Sequence, residues 1–520
     1  MDINYKFCIL AAGKGTRNKA ISKLHKGLLP LENKAVLSHI IEKIHESVEI
    51  VIAVGYKSNQ IKDYLLLIFP ERKITYVDVE NYENTGSGPG LSLYLCKDHL
   101  QCPFVFTSAD TMTDENYYFH SVTQNWVGAD TVSKTSSSSY CLIDGDQKFN
   151  KFYFGSGTNA FIGIAGIFDY ELFWNSLSAK NLINGEHQVL NGFNDLKEMS
   201  INWFNWYDTG NPDAYMKARN HYNKEIVALK NNEALYIENN KVIKYFSDPN
   251  IVTSRIKRTE HLNGTIPKVV KLNDYMYYYD YLDGTTLSSI TDETILAKVI
   301  PFWFDNLGSK TMRPSLRHKM SEFKRNCQLM YRDKTVDRCQ YFADTDLDDI
   351  QIINGIKVEP INTMLSKVDW HGIYNQSIPT KFHGDFQPEN IIYNGEFNLI
   401  DWRDSFGDNI EYGDFYYDLG KLYHALLING QDVNNRLYKI VLSENSASIT
   451  HHTRNNLLFL LKELKTFCTT RNYSWENVQL LGILQYLGIS SLYQNFQEGE
   501  YGRFLFLYGK YLLSKHLNKN

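Results

Sequence analysis

The sequence predicts an α/β fold: a mixed, mostly parallel sheet flanked by helices, followed by a second, mainly helical α+β region. Three observations lead there. Short apolar runs of strand length alternate with helical stretches from residue 6 to residue 107, the pattern of a sheet covered by helices on both faces. After residue 290 the pattern turns mainly helical, with one loop-and-strand island at 381–401. The chain has 520 residues, enough for two to four domains at roughly 100–200 residues each.

The elements follow in order. Residues 6–10 form a short apolar strand, 34–45 an amphipathic helix, 50–54 a buried strand and 58–67 a helix. Residues 74–79 form a strand, a helix starts over 90–97, and 104–107 return as a strand. A helix over 212–222 closes this first domain, assigned to residues 1–222. Strands 233–238 and 242–246 flank Asn239-Asn240 and read as a hairpin. A helix over 254–262 and a strand over 275–281 complete a small lobe, 223–285, ahead of a helical large lobe, 286–520. The tail from 455 to 516 holds three helical patterns. No internal repeat and no Gly/Ser- or Pro-rich linker is visible.

Composition narrows the classes of function. Hydrophobic residues make up 43% and charged residues 22%, so large cores can form. Lys plus Arg number 54 against 59 Asp plus Glu. A net charge of −5 gives no electrostatic case for nucleic acid or an anionic membrane as partner. The 7 Cys are scattered, with no C-x-x-C pair, which argues against a disulfide framework or zinc site and for a reducing compartment. The first residues enter a strand without the segments of a signal peptide, and no apolar run nears the ~18 residues of a membrane span. The expectation is a cytoplasmic protein, with a homo-oligomer left open.

Leu10-Ala11-Ala12-Gly13-Lys14-Gly15-Thr16-Arg17 follows the first strand directly. Small residues let the backbone approach phosphates with N–H groups pointing inward. Lys14 and Arg17 place positive charge where a leaving pyrophosphate gathers negative charge. The Walker A spacing is absent. Lys26, in Leu24-His25-Lys26-Gly27-Leu28, adds a further cation. Together these resemble the signature of the sugar-phosphate nucleotidyltransferases, LAAGxGxR followed by PK-x-L, with His25 standing where the family has Pro. The resemblance extends to about residue 220 and implies a Rossmann-like nucleotidyltransferase domain. It implies that Leu10, Ala11, Ala12, Gly13, Gly15, Thr16 and Gly88 line the nucleotide site, Gly88 within Thr85–Gly90. Asp110, after Ser108-Ala109, and Asp208, in Trp206-Tyr207-Asp208-Thr209-Gly210, match the family's two Mg²⁺ ligands. Gly185-Glu186 resembles the segment that contacts the acceptor's hydroxyls. Lys14, Arg17 and Lys26 are then the catalytic cations.

A second constellation lies at His383-Gly384-Asp385-Phe386-Gln387-Pro388-Glu389-Asn390, followed by Leu399-Ile400-Asp401-Trp402-Arg403. Asp385 and Asn390 stand five apart, and Asp401 ends an apolar strand eleven further on. This resembles the H-G-D-x-x-x-x-N and I-D pattern of the aminoglycoside phosphotransferase and choline kinase family, and implies a protein-kinase-like bilobal domain over 223–520. Asp385 would orient and deprotonate a hydroxyl; Asn390 and Asp401 would hold Mg²⁺ on ATP. His383 reads as a brace of the loop. The resemblance also points to Lys244 as the ATP lysine, Glu260 as its partner and Tyr281 at the hinge that meets adenine. The small lobe lacks a G-x-G-x-x-G loop. Asp418, in Tyr412–Gly420, reads as a helix cap and loop anchor.

Two such sites imply consecutive reactions. A small alcohol (amino alcohol, sugar or polyol) is phosphorylated by ATP, and the phosphate is then joined to a nucleotide, CTP being preferred by analogy, with release of pyrophosphate. Mg²⁺ is expected in both sites. The product would be an activated precursor for surface polysaccharide or head-group synthesis. A cationic acceptor needs an aromatic cage or carboxylates; the Tyr-rich stretches 275–281 and 412–417 supply rings for a cage or for core packing. The alternative is a nucleotidyltransferase with a non-catalytic kinase-like regulatory or scaffold domain.

Overall fold

The structure is a computed structural model that describes residues 4–117, 122–133, 140–178, 182–183, 185–222, 231–262 and 264–518. Its contacts divide the chain into two compact units, residues 1–248 with 271–278, and residues 249–270 with 279–520. Among the described residues, no helix is long and apolar enough to cross a membrane.

The first unit is built on a nine-stranded sheet. In chain order its elements are β1 (Lys6–Ala11), α1 (Val36–Glu42), β2 (Ile50–Val54), α2 (Ser58–Ile68), β3 (Ile74–Asp78), α3 (Pro89–Leu95) and β4 (Phe104–Ser108). Then come β5 (Thr111–Thr113), β6 (Trp126–Thr131), β7 (Leu142–Gly145), β8 (Phe149–Tyr153), β9 (Asn159–Ile167) and α4 (Tyr170–Leu177). β10 (Ser200–Trp203), β11 (Trp206–Asp208) and α5 (Pro212–Tyr222) follow. The strands run β8-β7-β9-β4-β1-β2-β3, with β6 also paired to β9 and β10 paired to β6. β1 is parallel to β2 and β4, while β9 runs antiparallel to β4 and β6. The sheet is thus mixed, with its parallel half contributed by the start of the chain.

Strand periodicity of two explains how one apolar run serves two cores. Phe7, Ile9 and Ala11 face a core with Leu37, Ile40 and Ile61, from α1 and α2. Cys8 and Leu10 face the opposite core, with Leu93, Phe173 and Trp174 from α3 and α4. Parallel strands buried on both faces read as continuous hydrophobics, which is why this half is visible in sequence. The strands β6–β9 were not foreseen: β7 and β8 are short or largely polar, while β9 is a long apolar run, NAFIGIAGI, whose glycines and small residues mask it as a strand. The helix expected over 34–45 is trimmed to α1 because Lys34–Ala35 form a short strand.

The hairpin is β12 (Glu233–Glu238) and β13 (Lys241–Phe246). Asn239 and Asn240 both have positive φ, 47° and 55°, the geometry a tight two-residue hairpin demands. It was expected to open the small lobe at 223–285. The structure instead divides that stretch: Tyr236, Ile243 and Tyr245 fill the first unit's core, and the hairpin groups with residues 1–222. β13 also pairs with strand 276–280 in a four-stranded sheet, and the hairpin's Tyr236, Ile243 and Tyr245 complete the core they touch. Residues 223–230, where the second domain was expected to begin, lie outside the described residues.

Glu238 is buried at the hairpin's end. Ser38 Oγ donates to its Oε2 at 2.9 Å, and the Tyr64 hydroxyl donates to the same oxygen. Burial pushes its carboxyl above the ordinary value of 4.5, despite both hydroxyls. The native state therefore favours the protonated form, and stability falls as pH rises from 4.5 through the raised value. Glu238→Gln should leave the melting temperature at pH 7.5 unchanged or higher and flatten this pH dependence. Glu238→Leu strands two buried hydroxyls, costing about 1–3 kcal/mol. Equal thermal melts for the two variants would contradict this account.

The second unit begins with α6 (Pro249–Arg258) and is mainly helical. It contains α7 (Lys334–Cys339), the hairpin β14 (Ile391–Tyr393) and β15 (Phe397–Leu399), and α8 (Phe415–Leu427). The tail forms α9 (Asn455–Thr470), α10 (Trp475–Ser490) and α11 (Glu500–Leu517), the three helices foreseen. α10 is apolar nearly all round, as a helix packed on two sides must be; α8 and α11 both pack on it. A four-stranded sheet formed by 352–353, 356–357, 438–443 and 446–451 was missed, since its strands are very short or largely exposed.

Candidate active site

The loop after β1 opens a cleft of about 700 Å³ at the carboxyl end of the parallel strands. Gly13, Lys14, Arg17, Lys26, Gly88, Asp110, Glu186 and Asp208 all line it, so residues from five separate chain segments meet there. Gly15 has φ 57°, and a side-chain carbon on it would meet Lys26 Cβ at 3.3 Å. Only a glycine lets the loop fold back onto the lysine without strain.

Pairing of β11 with β5 sets Asp208 opposite Thr111, next to Asp110. The Thr209 N–H donates to Asp110 O at 3.0 Å, and Asn18 Nδ2 donates to Thr209 O at 2.8 Å. These bonds hold the two carboxylates together although 98 positions separate them in the chain. A side-chain carbon built on Gly210 would lie 2.7 Å from Asp110 Oδ2, 2.9 Å from Asp208 Oδ1 and 3.4 Å from Arg17 Nη2. The three groups thus converge on one point.

Lys26 Nζ sits 2.8 Å from Asp110 Oδ2 and 3.2 Å from Ser108 Oγ. Burial works to raise the Asp110 pKa, but Lys26, Ser108 and Arg17 outweigh it and hold the carboxyl below its usual value. Asp208 goes the other way: burial first, then the Asp110 charge, raise it. Two facing carboxylates with opposed shifts mark a place where one more positive charge is favourable. Two carboxylates with room for phosphate oxygens suit Mg²⁺, which takes few protein ligands. His25 is fully buried; burial and the adjacent Lys26 push it down to about 3, so it is neutral. Its Nδ1 accepts from the Gly27 N–H at 3.0 Å, shaping the turn that delivers Lys26.

Sequence reading did not single out three participants. The Tyr140 hydroxyl and Asn211 Nδ2 donate to Asp208 Oδ2 at 3.2 and 2.9 Å. Glu83 forms an ion pair with Lys14, which is therefore held at the cleft wall. Asn211 follows the W-x-D-T-G segment directly and was within reach of the motif; Tyr140 and Glu83 carry no sequence signal. Gly88 has φ 129°, and a side-chain carbon there would strike His187 O at 2.8 Å and Glu186 Cβ at 3.1 Å, so it stands against the Glu186 segment.

In the second unit the loop at 383–390 is held from α8. Asp418 accepts the N–H groups of His383 and Gly384, both at 2.7 Å, and Trp303 Nε1 at 3.0 Å. Asp418 anchors the loop but does not cap α8, whose N-cap position is Asp414. The buried His383 Nδ1 accepts the Asp385 N–H at 3.2 Å, which leaves Nε2–H to donate to Ile400 O at 3.0 Å. It braces the loop against the Asp401 strand end.

Asp385 Oδ1 pairs with Lys421 Nζ at 2.9 Å, and Oδ2 accepts from Asn390 Nδ2 at 3.1 Å. Burial would raise the Asp385 pKa, but Lys421 wins and the net shift is down, so the carboxylate is ionised. Asn390 Nδ2 donates to both the carboxylate and the backbone oxygen of Asp385. Asp401 has φ 57°, in the left-handed region that Asp enters more readily than most residues. Its Oδ1 pairs with Arg255 Nη1 of α6 at 2.8 Å. Asn390 and Asp401 are oxygen donors of the kind Mg²⁺ takes.

Lys421, Arg255 and the fully buried Arg258, which donates to backbone carbonyls of 382, 403 and 410, were not foreseen. Lys244 lies on β13 in the first unit, while Glu260 is exposed in the second and Tyr281 is 44% exposed. Tyr412, Tyr416 and Tyr417 are all buried, so this stretch packs the core and forms no open cage.

Comparison with known proteins finds similarity in the N-terminal part of the chain. Residues 7–139 match a MobA-like NTP transferase domain. The bifunctional protein GlmU of Methanococcus vannielii is 27% identical over 253 residues, 45% of this chain and 58% of that protein. GlmU of Enterococcus faecalis is 48% identical over 59 residues, 11% of this chain and 12% of that protein. The chain thus spans less than two thirds of the length of the curated relatives it matches. Among solved structures, UDP-glucose pyrophosphorylase complexed with UDP-glucose aligns at 20% identity and TM-score 0.36, covering 42% of this chain and 98% of that one. CTP:phosphocholine cytidylyltransferase from Streptococcus pneumoniae aligns at 20% and 0.36, covering 42% and 100%.

Proposed function

We propose that the chain is a bifunctional enzyme: a nucleotidyltransferase in the first unit and a small-molecule kinase in the second. The reading rests chiefly on Asp110, Asp208, Arg17 and Lys26 meeting in one cleft beside a glycine-rich loop. The similarity of residues 7–139 to an NTP transferase domain supports it.

At the first site an oxygen of the acceptor phosphate attacks the α-phosphorus of a nucleoside triphosphate, and the bond to pyrophosphate breaks. Mg²⁺, held by Asp110 and Asp208, would supply neutralising charge at that phosphate. Lys26 leaves its pairing with Asp110 to meet phosphate oxygens, and Arg17 faces the departing pyrophosphate. Lys14, tethered by Glu83, shapes the wall of the loop. Leu10, Ala11, Ala12, Gly13, Gly15 and Thr16 bring their backbone to the nucleotide, and Glu186 beside Gly88 meets the acceptor's hydroxyls. Little proton transfer is needed, so positioning and electrostatics carry the rate. CTP is the preferred donor.

At the second site Asp385 takes the proton of an alcohol that attacks the γ-phosphate of ATP, with Asn390 and Asp401 as the residues that would hold Mg²⁺. Glu260 and Tyr281 are assigned to ATP, whereas Lys244 lies in the first unit and drops out of this site. The product would feed surface polysaccharide or head-group synthesis in a reducing, cytoplasmic setting, in keeping with seven free cysteines. The Lys421–Asp385 pair favours a second reading, in which a held carboxylate makes this unit a nucleotide-binding scaffold. Mass spectrometry of products after incubation with ATP, CTP and an alcohol library tests both. A nucleotide conjugate formed from a free alcohol supports two enzymes. A conjugate formed only from an alcohol phosphate, without ADP release, supports the scaffold. No conjugate from either overturns the nucleotidyltransferase.

A further inference from the structure

Asp208 lends one oxygen to the first unit's cleft and keeps the other engaged. Its Oδ2 accepts two hydrogen bonds, from Asn211 Nδ2 at 2.9 Å and from the Tyr140 hydroxyl at 3.2 Å. A carboxylate oxygen offers two lone pairs, so Oδ2 is fully used. Oδ1 accepts one hydrogen bond, from the Gly210 N–H at 2.7 Å, and keeps a lone pair. Oδ1 is also the oxygen that converges with Asp110 Oδ2 on the point a side-chain carbon of Gly210 would occupy. Asp110 is arranged alike. Its Oδ1 accepts from Ser108 Oγ, and its Oδ2 faces that point and Lys26. Each carboxylate thus turns a single oxygen to the place where a cation fits.

Both donors on Oδ2 are held by their own surroundings. Asn211 Oδ1 accepts the Ala214 N–H at 3.0 Å, which caps α5 and settles that the amide nitrogen faces Asp208. Tyr140 lies in the cleft wall. Its ring stands edge-on to Trp206, with centroids 5.0 Å apart and planes at 74°. Trp206 is tied in turn through its backbone N–H to Asp130 Oδ2 at 3.0 Å. The tyrosine hydroxyl carries one proton, and against a carboxylate it can only donate.

Cation chemistry gives this arrangement a consequence. Mg²⁺ is small and demands octahedral geometry, which single carboxylate oxygens satisfy; Ca²⁺ is larger, takes more oxygens and readily uses both oxygens of one carboxylate. A carboxylate whose second oxygen is spent on two donors can offer a cation only the first. We propose that Tyr140 is a positioning residue of the first site: with Asn211 it fixes Asp208 as a one-oxygen ligand and so selects a small octahedral cation over Ca²⁺. This rests on the reading of Asp110 and Asp208 as metal ligands. Removing the hydroxyl returns a lone pair to Oδ2, frees the carboxylate to turn and opens the two-oxygen binding that suits Ca²⁺.

The test uses Mn²⁺ as the probe, its binding to the full chain followed by electron paramagnetic resonance, with Mg²⁺ and Ca²⁺ as competitors. Asp208→Ala identifies the Mn²⁺ that belongs to this site. Tyr140→Phe keeps the ring on Trp206 and should weaken that Mn²⁺ by about 10- to 100-fold, the usual effect of losing a group that orients a metal ligand. Ca²⁺ should weaken less, so the preference for Mg²⁺ over Ca²⁺ narrows. In pyrophosphate release the KM for Mg²⁺ should rise by a similar factor, with a smaller loss of kcat and an unchanged melting temperature. Asn211→Ser keeps a capping oxygen for α5 and should act in the same direction. Unchanged Mn²⁺ affinity and cation preference in Tyr140→Phe would overturn the proposal. So would a rise confined to the acceptor's KM, which would put the hydroxyl on substrate. If Asp208→Ala binds Mn²⁺ as wild type does, the metal-ligand reading fails, and this proposal with it. If Asp208→Ala loses the ion and Tyr140→Phe holds it undiminished, the role of Tyr140 alone falls.

Discussion

Asp110→Ala is expected to lower nucleotidyl transfer by roughly 10³-fold or more, by comparison with the loss of other electrostatic groups at reaction centres. The carboxylate is placed to do two things. It shares with Asp208 and Arg17 the point above Gly210, and it holds Lys26 at 2.8 Å. Its removal takes away one of two candidate metal ligands and frees Lys26 from its place. The fold should survive, because Ser108 and Thr209 remain tied to the sheet by backbone bonds. Steady-state pyrophosphate release, with a thermal melt as control, is the measurement. Near-normal release from a folded variant would remove Asp110 from the site. ADP release by the second unit should persist.

Asp385→Asn is expected to abolish ATP-dependent phosphorylation, by about 10²–10⁴-fold, since the amide keeps the shape but cannot take the proton. Supplied with the phosphorylated acceptor, the variant should still form the nucleotide conjugate at close to the wild-type rate. Every group assigned to that step lies in residues 1–222. Under the proposed function the order follows from chemistry, because the first site would need a phosphate nucleophile and the second would make one from a hydroxyl. The structure adds a complication that can be controlled. Lys421 is buried, and the substitution leaves its ammonium without its anion, at a cost of about 3–5 kcal/mol. Asp385→Asn with Lys421→Met removes both charges and should restore the melting temperature without restoring phosphorylation. Intact phosphorylation in Asp385→Asn would end the kinase assignment. Loss of both reactions in a well-folded variant would mean that the two sites are coupled.

The parallel half of the sheet, the loop at 10–17 and the two carboxylate motifs were legible in the chain itself, because each depends on local order. A buried parallel strand is apolar at every position, and a phosphate loop needs its small residues side by side. The same holds for the spacing of Asp385 and Asn390, set within one loop. Hairpin 233–246 was legible as an element for the same reason: Asn239 and Asn240 carry the turn's geometry locally. Its placement was not legible. Tyr236, Ile243 and Tyr245 would suit any apolar core, and only the gap beneath α1 and α2 selects one.

What tertiary structure alone decided are the partners. Asp208 meets Asp110 through β5–β11 pairing, Tyr140 reaches Asp208 from a distant segment, and Arg255 reaches Asp401 across 146 positions. The cation that faces Asp385, Lys421, comes from α8 and is unremarked in its own context. Such encounters have no period and no fixed spacing. They are set by how cores pack, and a one-dimensional pattern records which residues can bear charge, not which charges will be left facing one another.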